Sequence, residues 1–290
     1  MQIGDEVPQR PAPEQTAGAQ PEQPAARERY VVRFDRHQRL QHFLMMSSFI
    51  VLALTGLPQK FSGLAISQWW VNMLGGLEMV RTLHRAAGFV MLSDCVYHIA
   101  YLFFGIGVHR RFGALRMIPT RKDLGDVAQT AAYFLGISGE KPKFDRFSYL
   151  EKFDYWAVFW GIAVMGGSGL VLMFPVKVTN VLPGQTIAVA LAMHSDEALL
   201  AVGWIFIVHM FNAHLAPWIF PFDATIFTGK VAAERYAEEH PLEWAQIVSA
   251  RATAVPPLRQ TGSDGTPAAR SEGHHEEGIE RLTGDVARGG

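Results

Sequence analysis

Four long apolar runs dominate the middle of this 290-residue chain. They cover residues 40–59, about 83–108, 155–175 and about 194–222, the last of them preceded by an apolar stretch at 187–193. A helix needs about 20 apolar residues to cross the hydrocarbon core, and a single span satisfies its backbone in lipid only as a helix. The runs therefore predict four transmembrane helices, because the sequence offers no amphipathic layer to cover them in a soluble fold.

Charged residues avoid this middle segment. Of the 53 Asp, Glu, Lys and Arg residues, residues 1–36 hold 11 and residues 222–290 hold 18, which leaves 24 for the 185 residues between them. The polar ends lack apolar periodicity, so we expect a disordered N-terminal tail at 1–28 and a largely disordered cytoplasmic C-terminal tail at 241–290. The transmembrane domain is then predicted at 29–240.

Basic residues are distributed unequally between the two ends of the predicted bundle. One end carries Arg27, Arg29, Arg33, Arg36 and Arg39 before the first run, and Arg110, Arg111, Arg116, Arg121, Lys122, Lys141, Lys143, Arg146 and Lys152 between the second and third. The other end carries only Lys60, Arg81 and Lys177. Positive residues favour the cytoplasmic side. The chain is thus predicted to be an all-α integral four-helix bundle of the bacterial cytoplasmic membrane, with both termini in the cytoplasm.

The composition excludes several kinds of redox and binding protein. The chain has one cysteine, Cys95, so it cannot form an iron–sulfur cluster on four cysteines, an intramolecular disulfide or a covalent CxxCH haem attachment. A formal net charge of -1 argues against a dedicated nucleic-acid binder. Any redox centre in the membrane segment is therefore expected to depend on histidine.

Histidines recur at matching positions in the second and fourth runs. His84 and His98 are 14 residues apart, and His194 and His209 are 15 apart. Each spacing returns to within about 40–60° of one helix face and spans about 21–22 Å of helix. The two helices run in the same direction, so His84 can face His194, and His98 can face His209. Two imidazoles at each level are the axial ligands of a haem iron in a helix bundle, which predicts two stacked b-type haems.

One acidic residue, Asp94, lies in the middle of the second run, one turn before His98. Ionisable residues inside a membrane usually have a function. Asp94 can orient a ligand imidazole as a hydrogen-bond acceptor, relay protons, or be a neutral or paired interior acid. The sequence leaves these alternatives open.

Short motifs in the runs resemble a known family, and they lie at these positions: Arg39-Leu-Gln-His42-Phe, Leu54-Thr-Gly-Leu57, Leu83-His84-Arg85, Ala192-Met-His194 and Val208-His209. Across about residues 30–240 the chain is similar to the membrane cytochrome b subunits of formate dehydrogenases and nickel–iron hydrogenases. This resemblance implies a four-helix protein with two haems.

The resemblance also implies a ligand set that differs from the one the spacing suggests. It pairs His42 with His209 at the cytoplasmic-side haem and His84 with His194 at the other haem. Spacing alone pairs His98 with His209 instead. Since His42 and His98 both lie toward the cytoplasmic side, both remain candidates at this point.

A function follows from the resemblance. It implies an electron-transfer subunit of a quinone-linked oxidoreductase complex, which passes electrons between a partner subunit on the non-cytoplasmic side and menaquinone or ubiquinone. The partner would carry iron–sulfur clusters or be a multi-haem cytochrome c. A quinone pocket is implied just before the third helix, where the candidate residues are Ser148, Tyr149, Glu151 and Lys152. Such a subunit would catalyse no bond chemistry on its own.

Two other functions fit the same apolar pattern. The membrane histidines and Asp94 could form the relay of a haem-free proton or ion transporter. Alternatively, the chain could be a structural anchor for a peripheral enzyme. Neither alternative predicts a chromophore in the purified protein.

Overall fold

The computed structural model describes residues 30–254 except 111 and 218. Within this part of the chain, four helices are long and apolar enough to cross a membrane. They are α1 at Arg36–Lys60, α3 at Leu77–Phe103 with a π-helical extension at Phe104–Val108, α5 at Tyr149–Met173, and α7 at Gln185–Trp204 with π-helical turns at Ile205–His209 and Phe211–Leu215. Short helices α2 at Ala65–Met73 and α6 at Pro175–Thr179 follow α1 and α5. The prediction of four helical spans is confirmed.

Two of the spans begin before their apolar runs because polar side chains cap them. The Asp35 carboxylate accepts a hydrogen bond from the Gln38 backbone N–H at 2.8 Å, and the Gln38 side chain accepts one from the Asp35 N–H at 3.0 Å. Ser148 and Glu151 form the same capping box at the start of α5. Capping satisfies the free N–H groups of a first turn. Both spans therefore extend one to two turns beyond the hydrocarbon-length run.

The four spans form two helical hairpins. α1 packs closely along α3, and α5 packs closely along α7, whereas the two hairpins contact each other over much less of their length. Trp70 of α2 donates a hydrogen bond from its indole N–H to the Leu54 carbonyl at 2.9 Å, which holds α2 against α1. Because the hairpins meet so sparsely, a space remains between them along the length of the bundle.

A small antiparallel sheet pairs the segment before α1 with the segment after α7. β1 at Tyr30–Val32 pairs with β2 at Lys230–Ala232, with Val31 opposite Val231. Helices α8 at Thr225–Thr228, α9 at Ala233–Glu239 and α10 at Pro241–Ala254 accompany this sheet. We call this end of the bundle the sheet end and the opposite end the distal end. The segment before α1 and the segment after α7 thus lie on the same side of the bundle.

The described structure continues for one helix beyond the predicted domain boundary at residue 240. We expected a largely disordered tail from residue 241, but Pro241–Ala254 form α10. Ile247 of α10 packs with Tyr236 and Val231 in a small buried core. These apolar side chains are too few and too widely spaced to stand out in a polar stretch. The predicted tail at 1–28, and residues 255–290 of the predicted C-terminal tail, lie outside the described residues.

Buried charges hold this sheet-end core together. The Arg33 guanidinium donates to the Tyr236 hydroxyl at 3.1 Å and to Glu151 at 2.7 Å. The Tyr236 hydroxyl donates to Glu243 of α10, and Arg146 pairs with the same carboxylate at 3.3 Å. Burial raises the pKa of the Tyr236 hydroxyl to about 12, so it remains a donor. Together these contacts tie α10 and β1 to the start of α5.

The connection between α3 and α5 lies at the sheet end as well. It contains a 3₁₀ helix at Phe112–Met117 and the helix α4 at Arg121–Phe134. Arg116 pairs with Glu243 at 3.2 Å, and Lys152 of α5 pairs with Asp123 of α4 at 2.8 Å. The connection is therefore fixed both to α10 and to the first turn of α5.

Candidate functional site

A large cavity of about 3070 Å³ fills the space between the two hairpins. Small-molecule pockets usually measure about 300–1,000 Å³, so this volume exceeds what one small ligand needs. All four spans line it, and the lining includes five of the predicted site histidines and Asp94. These residues are His42, His84, His98, His194, His209 and Asp94. The predicted histidines thus converge on one internal space.

One histidine pair lies near the sheet end. The ring centroids of His42 on α1 and His209 on α7 are 6.4 Å apart, with their planes inclined at 30°. His209 Nδ1 is 3.3 Å from a carboxylate oxygen of Asp154, whose other oxygen accepts from the Trp204 indole at 2.7 Å. Asp154 therefore fixes the His209 ring through Nδ1 and leaves its Nε2 available. His209 ends a π-helical turn, and such turns often occur at functional sites.

A second histidine pair lies toward the distal end. The ring centroids of His84 on α3 and His194 on α7 are 6.1 Å apart, with an interplanar angle of 71°. The Thr55 hydroxyl donates to the Val51 carbonyl at 2.6 Å and lies 2.9 Å from His84 Nδ1. Since that hydroxyl proton is used, His84 Nδ1 carries the hydrogen and donates to it. In this tautomer the lone pair of the ring is on His84 Nε2, which is free to bind a metal.

His194 is oriented in the same way from the other hairpin. The Ser168 hydroxyl donates to the Val164 carbonyl at 2.6 Å and lies 3.0 Å from His194 Nδ1. The Met165 carbonyl is 3.1 Å from the same nitrogen. Both partners accept, so His194 also has its hydrogen on Nδ1 and its lone pair on Nε2. Hydrogen bonding of this kind fixes ring orientation and increases the basicity of a ligand histidine.

A glycine follows each of these hydroxyl residues and makes room for the imidazole. A Cβ at Gly56 would lie 3.1 Å from His84 Cε1, and a Cβ at Gly169 would lie 3.2 Å from His194 Cε1. Both distances are tighter than ordinary contacts. The dipeptides Thr55-Gly56 and Ser168-Gly169 therefore hold an imidazole in the same way, one in each hairpin. We call each of these dipeptides an imidazole seat. The sequence contains this hydroxyl–glycine pattern once in the spans of each hairpin, but its role depends on the facing imidazole, which lies on another helix.

His98 has different neighbours from those expected. Its Nδ1 is 2.9 Å from the Gln41 side-chain oxygen, and its Nε2 is 3.0 Å from the Tyr155 hydroxyl. Its ring contacts are with aromatic residues: Tyr101, Tyr155 and Phe159. Both ring nitrogens are thus engaged by polar partners. The structure brings His42, and not His98, to His209.

Asp94 is buried at 7% exposure and lines the same cavity. Among the described residues, its Oδ1 has no hydrogen-bond partner. The two hydrogen-bond partners of His98 are Gln41 and Tyr155. Asp94 therefore does not orient His98 in the manner considered from the sequence. It is instead an interior acid that faces the space between the hairpins.

The four candidate quinone residues have structural partners at the start of α5. Ser148 and Glu151 cap the helix, and Glu151 also pairs with Arg33 at 2.7 Å. Tyr149 packs edge-on against Phe144, with ring centroids 6.0 Å apart. Ser148, Tyr149 and Glu151 also line the cavity.

Lys152, the fourth candidate, is bound to α4. Its ammonium group lies 2.8 and 2.9 Å from the two carboxylate oxygens of Asp123, and both side chains are nearly buried. Burial alone would raise the pKa of Asp123, but the hydrogen bonds from Lys152 and Thr120 hold it below its ordinary value. Lys152 thus forms a buried ion pair that fixes α4.

The two histidine pairs fit haem better than they fit a bare metal ion. With metal–nitrogen bonds of about 2.0 Å, and about 1.1 Å from each nitrogen to its ring centre, two imidazoles in line across one metal have centres about 6.2 Å apart. The observed separations are 6.4 and 6.1 Å. The described residues contain no group of three or more His, Cys, Asp or Glu side chains that could hold a metal ion. A pair of imidazoles suits an iron that brings its remaining donors in a macrocycle.

Comparison with known proteins identifies the family of the chain. Residues 33–221 match the family described as prokaryotic cytochrome b561. Similar proteins include the formate dehydrogenase cytochrome b556(fdo) subunits of Escherichia coli strains K12, O6:H1 and O157:H7. Each is 21% identical over 228 residues, which cover 75% of this chain and 93% of the relative.

The family match is more extensive than any one motif. It begins before α1, ends after α7, and so includes all four spans and both histidine pairs. A family of b-type cytochromes implies b-type haem and electron transport. This chain therefore belongs to the prokaryotic cytochrome b561 family and is a multi-pass membrane cytochrome b.

Proposed function

We propose that the protein carries two non-covalent b-type haems and transfers electrons across the membrane between a partner redox subunit and the quinone pool. His42 and His209 would hold one haem at the sheet end, and His84 and His194 would hold the other toward the distal end. The observation that supports this most directly is the pair of ring separations, 6.4 and 6.1 Å, at two levels of one cavity. When bound, haem supplies reversible one-electron chemistry at its iron.

The contribution of the chain itself is to hold and orient the ligands. Thr55 and Ser168 engage Nδ1 of His84 and His194 and leave Nε2 for a ligand, and Asp154 does the same for His209. Gly56 and Gly169 keep the space that the two distal rings occupy. In such a protein the surroundings of the cofactor tune its electronic properties. These side chains would therefore set the reduction potentials as well as the geometry.

We assign the sheet end to the cytoplasm. Arg33, Arg36 and Arg39 lie there beside the basic connection between α3 and α5, whereas Lys60 and Arg81 are at the distal end. An excess of Lys and Arg favours retention on the cytoplasmic side. Both termini would then be cytoplasmic, and the host membrane would be the bacterial inner membrane. The His84–His194 pair would lie nearer the outer surface, where electrons enter from or leave to the partner.

We further propose that the protein is a subunit of a formate dehydrogenase-like complex. The support is the likeness to the formate dehydrogenase cytochrome b556(fdo) subunit over 93% of that relative. The partner on the non-cytoplasmic side would carry iron–sulfur clusters or be a multi-haem cytochrome c. Menaquinone or ubiquinone would exchange electrons at the sheet end, where Ser148, Tyr149 and Glu151 line the cavity. Lys152 would act there only through its ion pair with Asp123.

Asp94 would serve proton movement that accompanies quinone chemistry. It is a buried acid on the cavity wall, and its Oδ1 has no partner among the described residues. Intramembrane carboxyl groups that face an internal cavity are typical of proton relays. A carboxyl group in that position can take up and release a proton without breaking an existing hydrogen bond to Oδ1.

A reduced-minus-oxidised spectrum of the full-length purified protein, combined with pyridine haemochrome stoichiometry, tests this function. We expect b-type absorbance and about two haems per chain, reducible by a quinol after reconstitution into vesicles. Absence of b-type absorbance would overturn the proposal and favour a haem-free transporter or anchor. One haem per chain would contradict the assignment of two ligand pairs.

A further inference from the structure

Helix α4 presents three different flanks around its axis. At about 100° per residue, Asp123, Asp126 and Thr130 occupy one side of the helix. Leu124, Val127, Ala128, Ala131, Phe134 and Leu135, the last just beyond the helix end, occupy the adjoining arc. The remaining arc carries Arg121, Lys122, Gly125 and Gln129. A helix that merely rested on a soluble surface would need only two sides, one buried and one polar.

The first flank faces the protein. Asp123 and Asp126 are buried at 8% and 7% exposure. Asp123 accepts two hydrogen bonds from Lys152 of α5, and Asp126 accepts one from Lys122 at 2.5 Å. Removing one partner from a buried ion pair is strongly destabilising. The helix is therefore held against the bundle along this side, and its rotation is fixed.

The second flank is apolar and exposed. Leu124 is 73% exposed, Phe134 80%, Leu135 73% and Val127 46%. Phe112 and Leu115 of the preceding 3₁₀ helix, and Ile118 just after it, are also exposed apolar side chains, at 57%, 44% and 48%. Contiguous exposed apolar side chains of this kind mark a surface that contacts lipid or another protein. Scattered surface residues would not share one helix arc.

The position of α4 along the bundle points to lipid as the contact. Lys152, its anchor, lies one turn before Tyr155, where the apolar run of α5 begins. Trp156, 44% exposed on α5, donates its indole N–H to the Met117 carbonyl at 2.9 Å. Tryptophan is enriched where a span meets the membrane–water boundary. Met117 and the first turn of α4 thus lie near the level where the hydrocarbon core ends.

The third flank has the chemistry of the water side. Arg121 lies on it in the first turn. Lys122 and Arg116 pair with Asp126 and Glu243, but their side chains remain 41% and 50% exposed. Basic residues beside an apolar helix face are favoured by anionic lipid headgroups. A helix parallel to the membrane plane, against a bundle, has protein on one side, acyl chains below and headgroups above. The three flanks of α4 match these three surroundings.

We propose that α4 is an interfacial helix that lies in the membrane surface at the sheet end, with its apolar flank in the acyl-chain boundary. The proposal depends on the four spans but not on haem content or on any redox partner. It commits to the lipid bilayer as the occupant of this surface. A protein that covers the same flank is the competing outcome.

Nitroxide accessibility in the full chain tests the proposal. The starting variant is Cys95→Ala, accepted once its absorption spectrum matches that of the unaltered protein. Leu124→Cys, Val127→Cys and Phe134→Cys then carry the spin label on the apolar flank. Gly125→Cys is the matched control, because Gly125 is exposed, adjacent in sequence, and a Cβ there meets nothing within 4 Å.

The protein is reconstituted into vesicles of phosphatidylethanolamine and phosphatidylglycerol, and accessibility to oxygen and to a water-soluble nickel complex is compared. We expect the apolar-flank labels to favour oxygen over nickel several-fold more than the label at position 125. Equal nickel accessibility at positions 124 and 125 would overturn the proposal. Low accessibility of the apolar-flank labels to both reagents would also overturn it and indicate a protein contact. Three independent positions keep the test valid if one variant fails to fold.

Discussion

The imidazole rings of His42 and His209 lie 6.4 Å apart between centroids, across the space that separates α1 from α7. This relationship joins the two hairpins near the sheet end, where they otherwise contact each other little. His98 is at the same end of the bundle, but Gln41 and Tyr155 engage its two ring nitrogens. The two histidines therefore have separable roles, which simple substitutions can distinguish.

We predict that His42→Ala removes one of the two haems and that His98→Ala retains both. Loss of His42 would remove one of the proposed haem ligands, whereas loss of His98 removes hydrogen bonds to Gln41 and Tyr155. Pyridine haemochrome stoichiometry of the purified variants measures the difference. Two haems in His42→Ala together with one in His98→Ala would reverse the assignment.

Gly169→Ala should disturb the distal haem, because the new Cβ would lie 3.2 Å from His194 Cε1 and the ring must shift by a few tenths of an ångström. Gly167→Ala is the control, since a Cβ there meets nothing within 4 Å. We expect an altered low-spin electron paramagnetic resonance signal, or reduced haem content, in the first variant only. Identical signals in both variants would show that the ring does not depend on this imidazole seat.

Thr55→Ala should raise the reduction potential of the distal haem. The Thr55 hydroxyl accepts from His84 Nδ1, which makes the imidazole a more basic ligand and favours ferric iron. A hydrogen bond worth roughly 0.5–1.5 kcal/mol corresponds to about 20–65 mV for one electron. Redox titration of the separate haem bands measures this shift. Thr82→Ala, which removes only a hydrogen bond to the Glu78 carbonyl, should leave the potential unchanged.

Acidification should loosen the sheet-end core before it affects the spans. Burial, and then the neighbouring Arg33, lower the pKa of His240 below its ordinary value of 6.5. The unfolded segment therefore binds the proton more readily, and local stability falls as the pH drops below about 6.5. Hydrogen exchange of residues 230–254, corrected for its intrinsic pH dependence, should accelerate between pH 7 and pH 5.

His240→Gln serves as the control for this pH effect. The substitution removes the titrating group but leaves an amide that can donate to the Asp145 carbonyl, as His240 Nδ1 does at 2.6 Å. The variant should therefore lose most of the acceleration. An unchanged pH dependence would assign the effect to another group, and that group cannot be Asp223. Burial raises the pKa of Asp223, but hydrogen bonds from Arg235 and Thr225 hold it below 3.8, so its contribution is lost only near or below pH 4.

The spans and the candidate ligands could be predicted from sequence because both depend on local regularities. Hydrocarbon thickness fixes the length of an apolar run, and helix geometry fixes which residues share a face. Those rules located the four spans and gave His84 and His194 the levels they have in the structure. They paired His98 with His209, and His42 entered only through the family resemblance. The choice between the two depends on contacts between helices, such as those of His98 with Gln41 and Tyr155.

Other features were missed because their physical basis is non-local. Lys152 is close in sequence to the other quinone candidates, but its ammonium group pairs with Asp123, which is 29 residues away. α10 has no strong apolar pattern in its sequence. It is held in place by contacts with Tyr236, Arg146 and β1. The imidazole seats at Thr55 and Ser168 look like ordinary small residues in a membrane helix until the opposite imidazole is seen.

The pairing of β1 with β2 has a consequence for how the molecule is assembled. β1 pairs with β2, which follows the fourth span in the chain. During synthesis β1 therefore has no strand to pair with until all four spans have been made. During that interval the α1–α3 hairpin and the α5–α7 hairpin are joined only by the connection that contains α4. We expect the space between them to be accessible from the side at that stage. We expect the strand pair to form last and to hold the two hairpins together after haem has entered.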